Sequence, residues 1–293
     1  MRFLIYIILI LKINLLFSQE KTFTICDNNK EKIPFANIVL DKKNCIGTTT
    51  NFNGIFKINP KQKYDTVEVS CIGYKMLKLS WRDFISRDTI FLINDVYKIP
   101  TVTIISKKNK IITAGSSKVK GYPGYIYDIQ GSETALYIKP NNKTPNKTIK
   151  NIQVYVSRQG IPNSNFRIII YSVNNQNGRI KPDTILLNQN LINHAVKGNE
   201  WVEFDILKYN LKMPTKGIFV SIMWLNSSEK FIYSSKKNNT EIYGQVIKAV
   251  CSDNTDKINF YNNYVWRRNN LFENKWMKLK SLMLPLVKCN MIY

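Results

Sequence analysis

A single imidazole limits the catalytic chemistry available to this chain. His194 is the one histidine among 293 residues, and no HExxH or HxxE motif contains it. Zinc hydrolases need several histidine and carboxylate ligands at defined spacing. Serine and cysteine nucleophiles need a neighbouring base, and the GxSxG elbow is also missing from the sequence. The sequence therefore indicates neither a zinc peptidase nor a nucleophilic hydrolase, and His194 is predicted to lie in a loop or at a sheet edge.

Carboxylates and glycine-rich loops give no stronger signal for catalysis. Two carboxylates are sufficient for a glycosidase, but Glu203 and Asp205 stand two residues apart on one strand face, where both are predicted to face solvent. KGYPGY (120–125) lacks the spacing of a GxGxxG or GxxxxGK[ST] phosphate loop and is predicted to be a turn. We therefore expect no enzyme, no cofactor and no metal site.

Aromatic side chains on polar strand faces are the remaining candidates, because exposed rings often belong to binding surfaces. Successive residues of a strand point to opposite faces. By this alternation Trp224 faces a core, whereas Tyr155, Trp201 and Trp276 each share a face with polar neighbours. We predict Tyr155, Trp201 and Trp276 as ligand-binding residues. Two interpretations stay open: the rings bind carbohydrate, or they pack against a neighbouring domain.

These candidate residues lie in short runs of β-branched residues or of alternating apolar and polar residues, which are predicted to be strands. Helical periodicity is almost absent, and Asn, Gly, Pro and Asp bound the runs, as in antiparallel sandwiches. The strands predicted in the first half are TFTIC (22–26), FANIVL (35–40), GIFKI (54–58), TVEVSCI (66–72), MLKLSW (76–81) and TIFLI (89–93), and TVTIIS (101–106) is predicted to be a strand or an extended connector. Those predicted in the second half are ALYIKP (135–140), NIQVYVS (151–157), FRIIIYSV (166–173), TILLNQNLI (184–192), EWVEFDIL (200–207), GIFVSIMWL (217–225), KFIYSS (230–235), EIYGQVIKAV (241–250), YVWRR (264–268), KWMKLK (275–280) and a last core strand in LPLVKCNMIY (284–293).

The strand pattern predicts an all-β protein with two antiparallel β-sandwiches in series. The first sandwich is expected at residues 20–106, and the charged stretch KKNK marks a linker at 107–112. The second sandwich is expected at residues 113–293. Residues 1–18 are assigned to a signal peptide.

The amino terminus is predicted to direct secretion. Arg2 precedes an apolar stretch, and Ser18 supplies a small residue before Gln19, as at a cleavage site. Lys12 interrupts the stretch, which is short for a spanning helix of about 20 apolar residues. We therefore expect export to the periplasm, the outer membrane surface or the medium, with no transmembrane span after removal of the signal.

The charge balance bears on the partner. The chain has 43 Lys and Arg against 20 Asp and Glu, a net charge of +23. Either the lysines solvate β-sheet surfaces and blunt sheet edges, or they attract an anionic envelope surface or acidic polysaccharide. YVWRRNN (264–270) interleaves aromatic and basic residues, but the scattered charge and the expected export argue against nucleic acid. The expected partner is an envelope protein or a polysaccharide.

The five cysteines contain no CxxC pair. Cys26 and Cys71 both fall in predicted strands of the first half and form the pair to test as a disulfide, since an exported protein permits one. The alternative is that the cysteines are buried as small apolar residues.

Three motifs in the first half carry a family resemblance. KIPFANIVL (32–40), GTTTNFNGIFKI (47–58) and VEVSCIGYK (67–75) occur in this order. This region resembles the carboxypeptidase-regulatory-like domain, a transthyretin-like β-sandwich common at the front of secreted and outer-membrane proteins of Bacteroidetes-type bacteria. Asn51 to Gly54 then forms a turn in which Asn and Gly tolerate positive φ. The sequence departs from the family at Asn51, usually Asp, and at Cys71, usually an aromatic residue.

The second half resembles the domain that follows this module in many such secreted proteins. The matching stretches are FRIIIYSVN (166–174), WVEFDILKYNLKMP (201–214) and KGIFVSIMWL (216–225). That domain has no assigned chemistry, and the resemblance implies a jelly-roll-like sandwich. Together the two resemblances imply an exported, non-catalytic structural or adaptor protein, with carbohydrate binding through exposed aromatics as the alternative.

Overall fold

A computed structural model describes residues 20–44, 46–95, 110–116, 122–176, 178–225, 230–234, 239–251, 265–269, 273–279 and 283–292. The predicted all-β fold is confirmed in this part of the chain. The chain divides into two compact units between Asn94 and Asp95. The predicted signal peptide, the predicted strand 101–106 and residues 107–109 of the predicted linker lie outside the described residues.

The first unit is a small β-sandwich with one short helix. Its described elements are β1 (Lys21–Asp27), β2 (Asn37–Asp41), β3 (Ile46–Thr49), β4 (Ile55–Ile58), β5 (Thr66–Ser70), β6 (Leu77–Ser80), α1 (Trp81–Ile85) and β7 (Thr89–Leu92). One sheet has the order β4-β1-β7 and the other the order β3-β2-β5-β6. All described pairs are antiparallel except β1 with β7, which is parallel. The strand β3 was not predicted.

Helix α1 corrects the predicted strand 76–81, which ends at Ser80. The Ser80 side chain accepts a hydrogen bond from the backbone N–H of Asp83 at 3.1 Å and donates to its carboxylate at 2.7 Å. A serine followed three residues later by an acidic side chain is a helix start, so Trp81 begins a turn of helix rather than extending β6. The helix buries Phe84, whose ring stacks on Phe23 with centroids 4.8 Å apart.

The turn predicted at Asn51 to Gly54 is present. The Asn51 side-chain oxygen accepts from the backbone N–H groups of Asn53 and Ile55 at 2.9 and 3.0 Å. Because an amide retains this oxygen, Asn replaces the usual Asp of the family without losing either bond. Gly54 has φ +69°, and a Cβ there would stand 2.9 Å from the Ile25 carbonyl oxygen. Both facts require glycine at this position.

The second unit is a larger sandwich. Its described strands are β8 (Ile111–Gly115), β9 (Tyr122–Ile126), β10 (Ser132–Ile138), β11 (Thr148–Gly160), β12 (Phe166–Gln176), β13 (Arg179–Ile185), β14 (Leu191–Asn193), β15 (Glu200–Asp205), β16 (Ile218–Trp224), β17 (Lys230–Ser234), β18 (Asn239–Tyr243), β19 (Gln245–Cys251), β20 (Val265–Asn269), β21 (Glu273–Lys278), β22 (Met283–Pro285) and β23 (Val287–Ile292). Sheet I has the order β13-β12-β16-β10-β20-β21, with β14 also on β12. Sheet II has the order β22-β19-β11-β23-β8, with β15 on β11 and β9 on β19. A single apolar cluster with members from both sheets forms the core.

Several strand predictions in the second unit need correction. The run 184–192 is not one strand, because β13 ends at Ile185 and β14 begins at Leu191. The run 241–250 is divided by Gly244, which has φ +72°. Ile111 and Ile112, predicted as the end of the linker, lie in β8, where their backbones pair with β23.

The predicted turn KGYPGY also needs correction, since Tyr122–Ile126 forms β9 on β19. An edge strand tolerates the proline within it, because its missing N–H can face away from the sheet. A Cβ on Gly124 would stand 3.3 Å from the Cys251 sulfur, so this strand lies close to its neighbour's side chains.

The central strand of sheet I, β16, is covered on both faces. All seven residues of β16 are buried, including the outward Phe219, Ser221 and Met223. Trp266 on β20 donates its indole N–H to the Ile180 carbonyl on β13 at 2.9 Å, although three strands separate β13 from β20 in the sheet order. The sheet must therefore curl, so that its two ends approach each other over the face turned away from the core.

Candidate functional site

The face of sheet II that points away from the core holds a group of aromatic and charged side chains. Tyr155 on β11 stands opposite Trp201 on β15, and Gln153 stands opposite Glu203. On the other edge of β11, Lys288 of β23 pairs with Gln153. Strand alternation turns the intervening valines of these strands into the core, so the polar residues share the outer face. We call Gln153, Tyr155, Trp201, Glu203, Lys248 and Lys288 the aromatic face.

The two rings of the aromatic face form a fixed pair. Their centroids lie 5.2 Å apart with planes at 88°, an edge-to-face contact. The Tyr155 hydroxyl donates to the Asn199 carbonyl at 2.9 Å, in the turn that precedes β15. Both rings are half-buried. The pair thus presents a partly exposed indole in an orientation set by the strand register and this hydrogen bond.

Two lysines lie over these rings. The Lys288 ammonium is 3.7 Å from the Trp201 centroid, and the Lys248 ammonium is 5.2 Å from the Tyr155 centroid. Within the described part of the chain, neither ammonium forms a salt bridge with a carboxylate. A cation over an exposed ring stabilises the fold by only about 0.5–1 kcal/mol. Both charges are therefore available to an incoming anionic group.

A polar border completes the aromatic face. The Gln153 side-chain amide donates to the Glu203 carboxylate at 2.8 Å. Asn193 donates to the Glu203 carbonyl at 2.9 Å, which holds this part of β15. The face thus offers a ring for stacking, cations, and donors and acceptors for hydrogen bonds.

The structure brings together two of the three predicted ligand-binding residues. Tyr155 and Trp201 are in contact, but Trp276 lies on β21 in sheet I. Its ring packs edge-to-face on buried Tyr171, with centroids 5.5 Å apart, and the Arg268 guanidinium lies 4.4 Å from its centroid. Trp276 therefore does not share a face with Tyr155 and Trp201. On the central strands of sheet I the outward residues are themselves buried, so alternation there does not separate core from solvent.

Trp276 adjoins a buried charged cluster that the sequence did not reveal. Glu133 is fully buried and accepts hydrogen bonds from Tyr171 at 3.0 Å, Ser221 at 2.8 Å and Arg268 at 3.1 Å. Burial, and then the Glu133 charge, raise the pKa of Tyr171 well above its usual range, so its hydroxyl stays protonated and donates. This cluster joins β10, β12, β16 and β20 through the Glu133 carboxylate.

The lysines of the aromatic face were missed as well. Lys288 is out of phase with the buried Val287, Cys289 and Met291, and this pattern marks an outward side chain. Phase alone does not show which residue it reaches, because the contact with Trp201 depends on both strands pairing with β11.

The remaining sequence candidates do not form a site. His194 is exposed just after β14, as predicted, and its ring nitrogen lies 3.3 Å from the Asn165 side-chain oxygen. Cys26 and Cys71 are separate buried thiols. Among the described residues, no group of three or more His, Cys, Asp or Glu side chains is arranged to hold a metal ion.

A cleft in the first unit is less suited to a ligand. It has a volume of 320 Å³ and lies between the turn after β2 and the start of β5. Glu68 in its wall already binds Lys42 at 3.0 Å and Lys78 at 2.8 Å. These two lysines lower the pKa of Glu68, so its charge is satisfied within the unit.

Comparison with known families identifies the first unit. Residues 24–91 match the family model of the CarboxypepD_reg-like domain, so this unit is a carboxypeptidase-regulatory-like β-sandwich. That domain type is regulatory and non-catalytic. No match was found among curated proteins or among solved structures. In the described part of the chain, none of the helices has the length and apolar character needed to span a membrane.

Proposed function

We propose that this is an exported, non-catalytic protein of the cell envelope that acts as an interaction module, and that its second unit binds another envelope component through the aromatic face. The observation that carries the proposal is the Tyr155–Trp201 pair with Lys248 and Lys288 over its rings. A partly exposed indole held by a second ring is the kind of residue that dominates binding energy at interfaces. The carboxypeptidase-regulatory-like unit adds a domain type without catalytic machinery of its own.

Polysaccharide is the second candidate for the bound component, beside an envelope protein. A flat indole bordered by the amide of Gln153 and the carboxylate of Glu203 offers a sugar both a stacking surface and hydrogen-bonding groups. A protein partner would use the same ring as an anchor, so the two candidates predict the same binding residues.

The proposal is tested by cosedimentation of the mature chain, from Gln19 onward, with envelopes isolated from the producing cell. We expect Trp201→Ala to weaken binding by about tenfold or more, which corresponds to a loss of about 1.4 kcal/mol. Phe52→Ala is the matched control, because Phe52 is an aromatic residue that is 69% exposed in the first unit. Circular dichroism verifies that each variant is folded.

Protease treatment of the envelopes separates the two candidates. Binding that survives proteolysis points to polysaccharide, and binding that is lost points to an envelope protein. Equal binding of Trp201→Ala and the unmodified chain in both preparations would refute the aromatic face as the binding surface.

A further inference from the structure

The position of Lys288 bears on the kind of sugar that could occupy the aromatic face. Its ammonium stands 3.7 Å from the centre of the Trp201 ring, where a stacked sugar ring would have to lie. A ligand that stacks on Trp201 must therefore displace this ammonium. A neutral sugar would break the cation–ring contact and would offer the lysine no charged group to pair with.

An acidic sugar resolves this conflict. If the stacked ring carries a carboxylate at its edge, the displaced ammonium moves from the indole to that carboxylate and forms a charge-assisted hydrogen bond. Lys248 lies over the neighbouring Tyr155 ring and offers a second cation to a carboxylate further along the same polymer. The same displacement that penalises a neutral sugar thus favours an acidic one.

The surrounding charges agree with an anionic ligand. Neither Lys248 nor Lys288 forms a salt bridge with a carboxylate of the described residues. The acidic member of the face, Glu203, stands opposite Gln153, and its carboxylate accepts a hydrogen bond from the Gln153 amide. The net charge of +23 would bring a polyanion toward the protein before these local contacts form.

We infer that the aromatic face binds a uronate-bearing polysaccharide, with Trp201 stacking on a uronic acid ring and Lys288 pairing with its carboxylate. This inference rests on the proposed function, with polysaccharide as the envelope component. The ligand carries its charge on the sugar ring itself, because only a carboxylate close to the indole can pair with the displaced ammonium.

The test uses the mature full chain and two forms of one polymer. Polygalacturonate is the acidic probe, and the same polymer after carboxyl reduction is the matched neutral probe. Isothermal titration at low and high salt should give binding to polygalacturonate that is at least about tenfold tighter than binding to the reduced polymer. High salt should weaken the acidic complex and leave the weak neutral one unchanged.

Variants locate the binding on the aromatic face. Lys288→Gln and Trp201→Ala should each weaken polygalacturonate binding by about tenfold. Trp201→Phe, which keeps a ring on β15, should retain part of the affinity and guards against loss of folding. Lys61→Gln removes the same charge from an exposed lysine of the first unit and should leave the affinity unchanged.

Each other outcome overturns the inference. Equal affinity for the reduced polymer would show that the carboxylate is not recognised. An equal loss in Lys61→Gln would show that binding follows total charge rather than this face. Equal binding to phosphatidylglycerol vesicles would assign the lysines to a lipid surface. If polygalacturonate does not bind while isolated envelopes still bind through Trp201, the inference of a uronate ligand is refuted and the proposed function stands. If the envelopes do not bind either, both the inference and the proposed function are refuted.

Discussion

Replacement of Glu133 by alanine should destabilise the second unit severely. Glu133 is fully buried, and the side chain of Arg268 beside it is 12% exposed. Removing one member of a buried ion pair leaves the other charge uncompensated and costs about 3–5 kcal/mol. Tyr171 and Ser221 also lose their acceptor. We expect a loss of about 4 kcal/mol in the free energy of unfolding, which for a unit of this size lowers Tm by about 8–16 °C.

A double-mutant cycle tests the reason for this loss. Exchange of a buried ion pair for apolar residues is often neutral or stabilising. Glu133→Leu combined with Arg268→Met should therefore cost less than Glu133→Ala alone, by about 2 kcal/mol. The stability losses of the single substitutions Glu133→Leu and Arg268→Met should be strongly non-additive, because each substitution leaves the other group without its charge partner.

Tryptophan fluorescence provides the assay. Trp81 is the single tryptophan of the first unit, so Trp81→Phe confines the signal to the second unit. Urea unfolding is then followed at pH 7 for each member of the cycle, with exposed Glu203→Ala as the control carboxylate. A loss below about 1 kcal/mol for Glu133→Ala, or additive single costs, would refute the view that this cluster is a buried, mutually dependent network.

Three further outcomes are expected. Ser80→Ala should lower the stability of the first unit by about 1 kcal/mol, because α1 loses its N-cap, and chemical denaturation measures this. Burial raises the pKa of the Cys289 thiol to about 12, so native protein at pH 8 should resist alkylation at Cys289 until it is unfolded, as mass spectrometry would reveal. Lys78 and Lys42 lower the pKa of Glu68. The contribution of Glu68 to stability is therefore present above its unfolded pKa and is lost as pH falls through the folded pKa. Glu68→Gln should flatten the profile of stability against pH in that acidic range.

Strand phase correctly predicts which side chains point outward where one face of a sheet is open. On β15, Trp201 is half-buried and Glu203 is exposed, while Val202 and Phe204 face the core. The period of two works here because only one side of sheet II packs on sheet I. Trp224 was assigned to the core by the same argument and is 1% exposed.

For Trp276 the same argument does not reveal the contact with Tyr171, because outward residues on the central strands of sheet I are themselves covered. Met277, on the opposite face of β21, is 50% exposed, while Trp276 packs on Tyr171. The burial of every residue in β16 reflects this double coverage. A sequence shows the alternation along a strand, but whether a sheet curls over its own outer face depends on contacts such as Trp266 to Ile180, which join distant segments.

The helix and the lysines were missed for different reasons. Helix α1 has five residues, too few for helical periodicity to appear, and its only local signal is the Ser80–Asp83 cap. Lys288 is recognisable as an outward residue, yet its contact with Trp201 joins positions that only the pairing of β15 and β23 with β11 brings together. Local capping chemistry can be inferred from sequence, whereas non-local register cannot.

The contrast between the two sheets determines where a ligand can bind. In sheet I the outward Glu133, Tyr171 and Arg268 bind one another, and Trp276 packs on Tyr171 and Arg268. In sheet II the outward Trp201 contacts Tyr155 and a lysine that has no salt bridge among the described residues. Polar and aromatic residues of similar type thus serve stability on one sheet and remain available for binding on the other. The deciding variable is whether the sheet curls over its outer face.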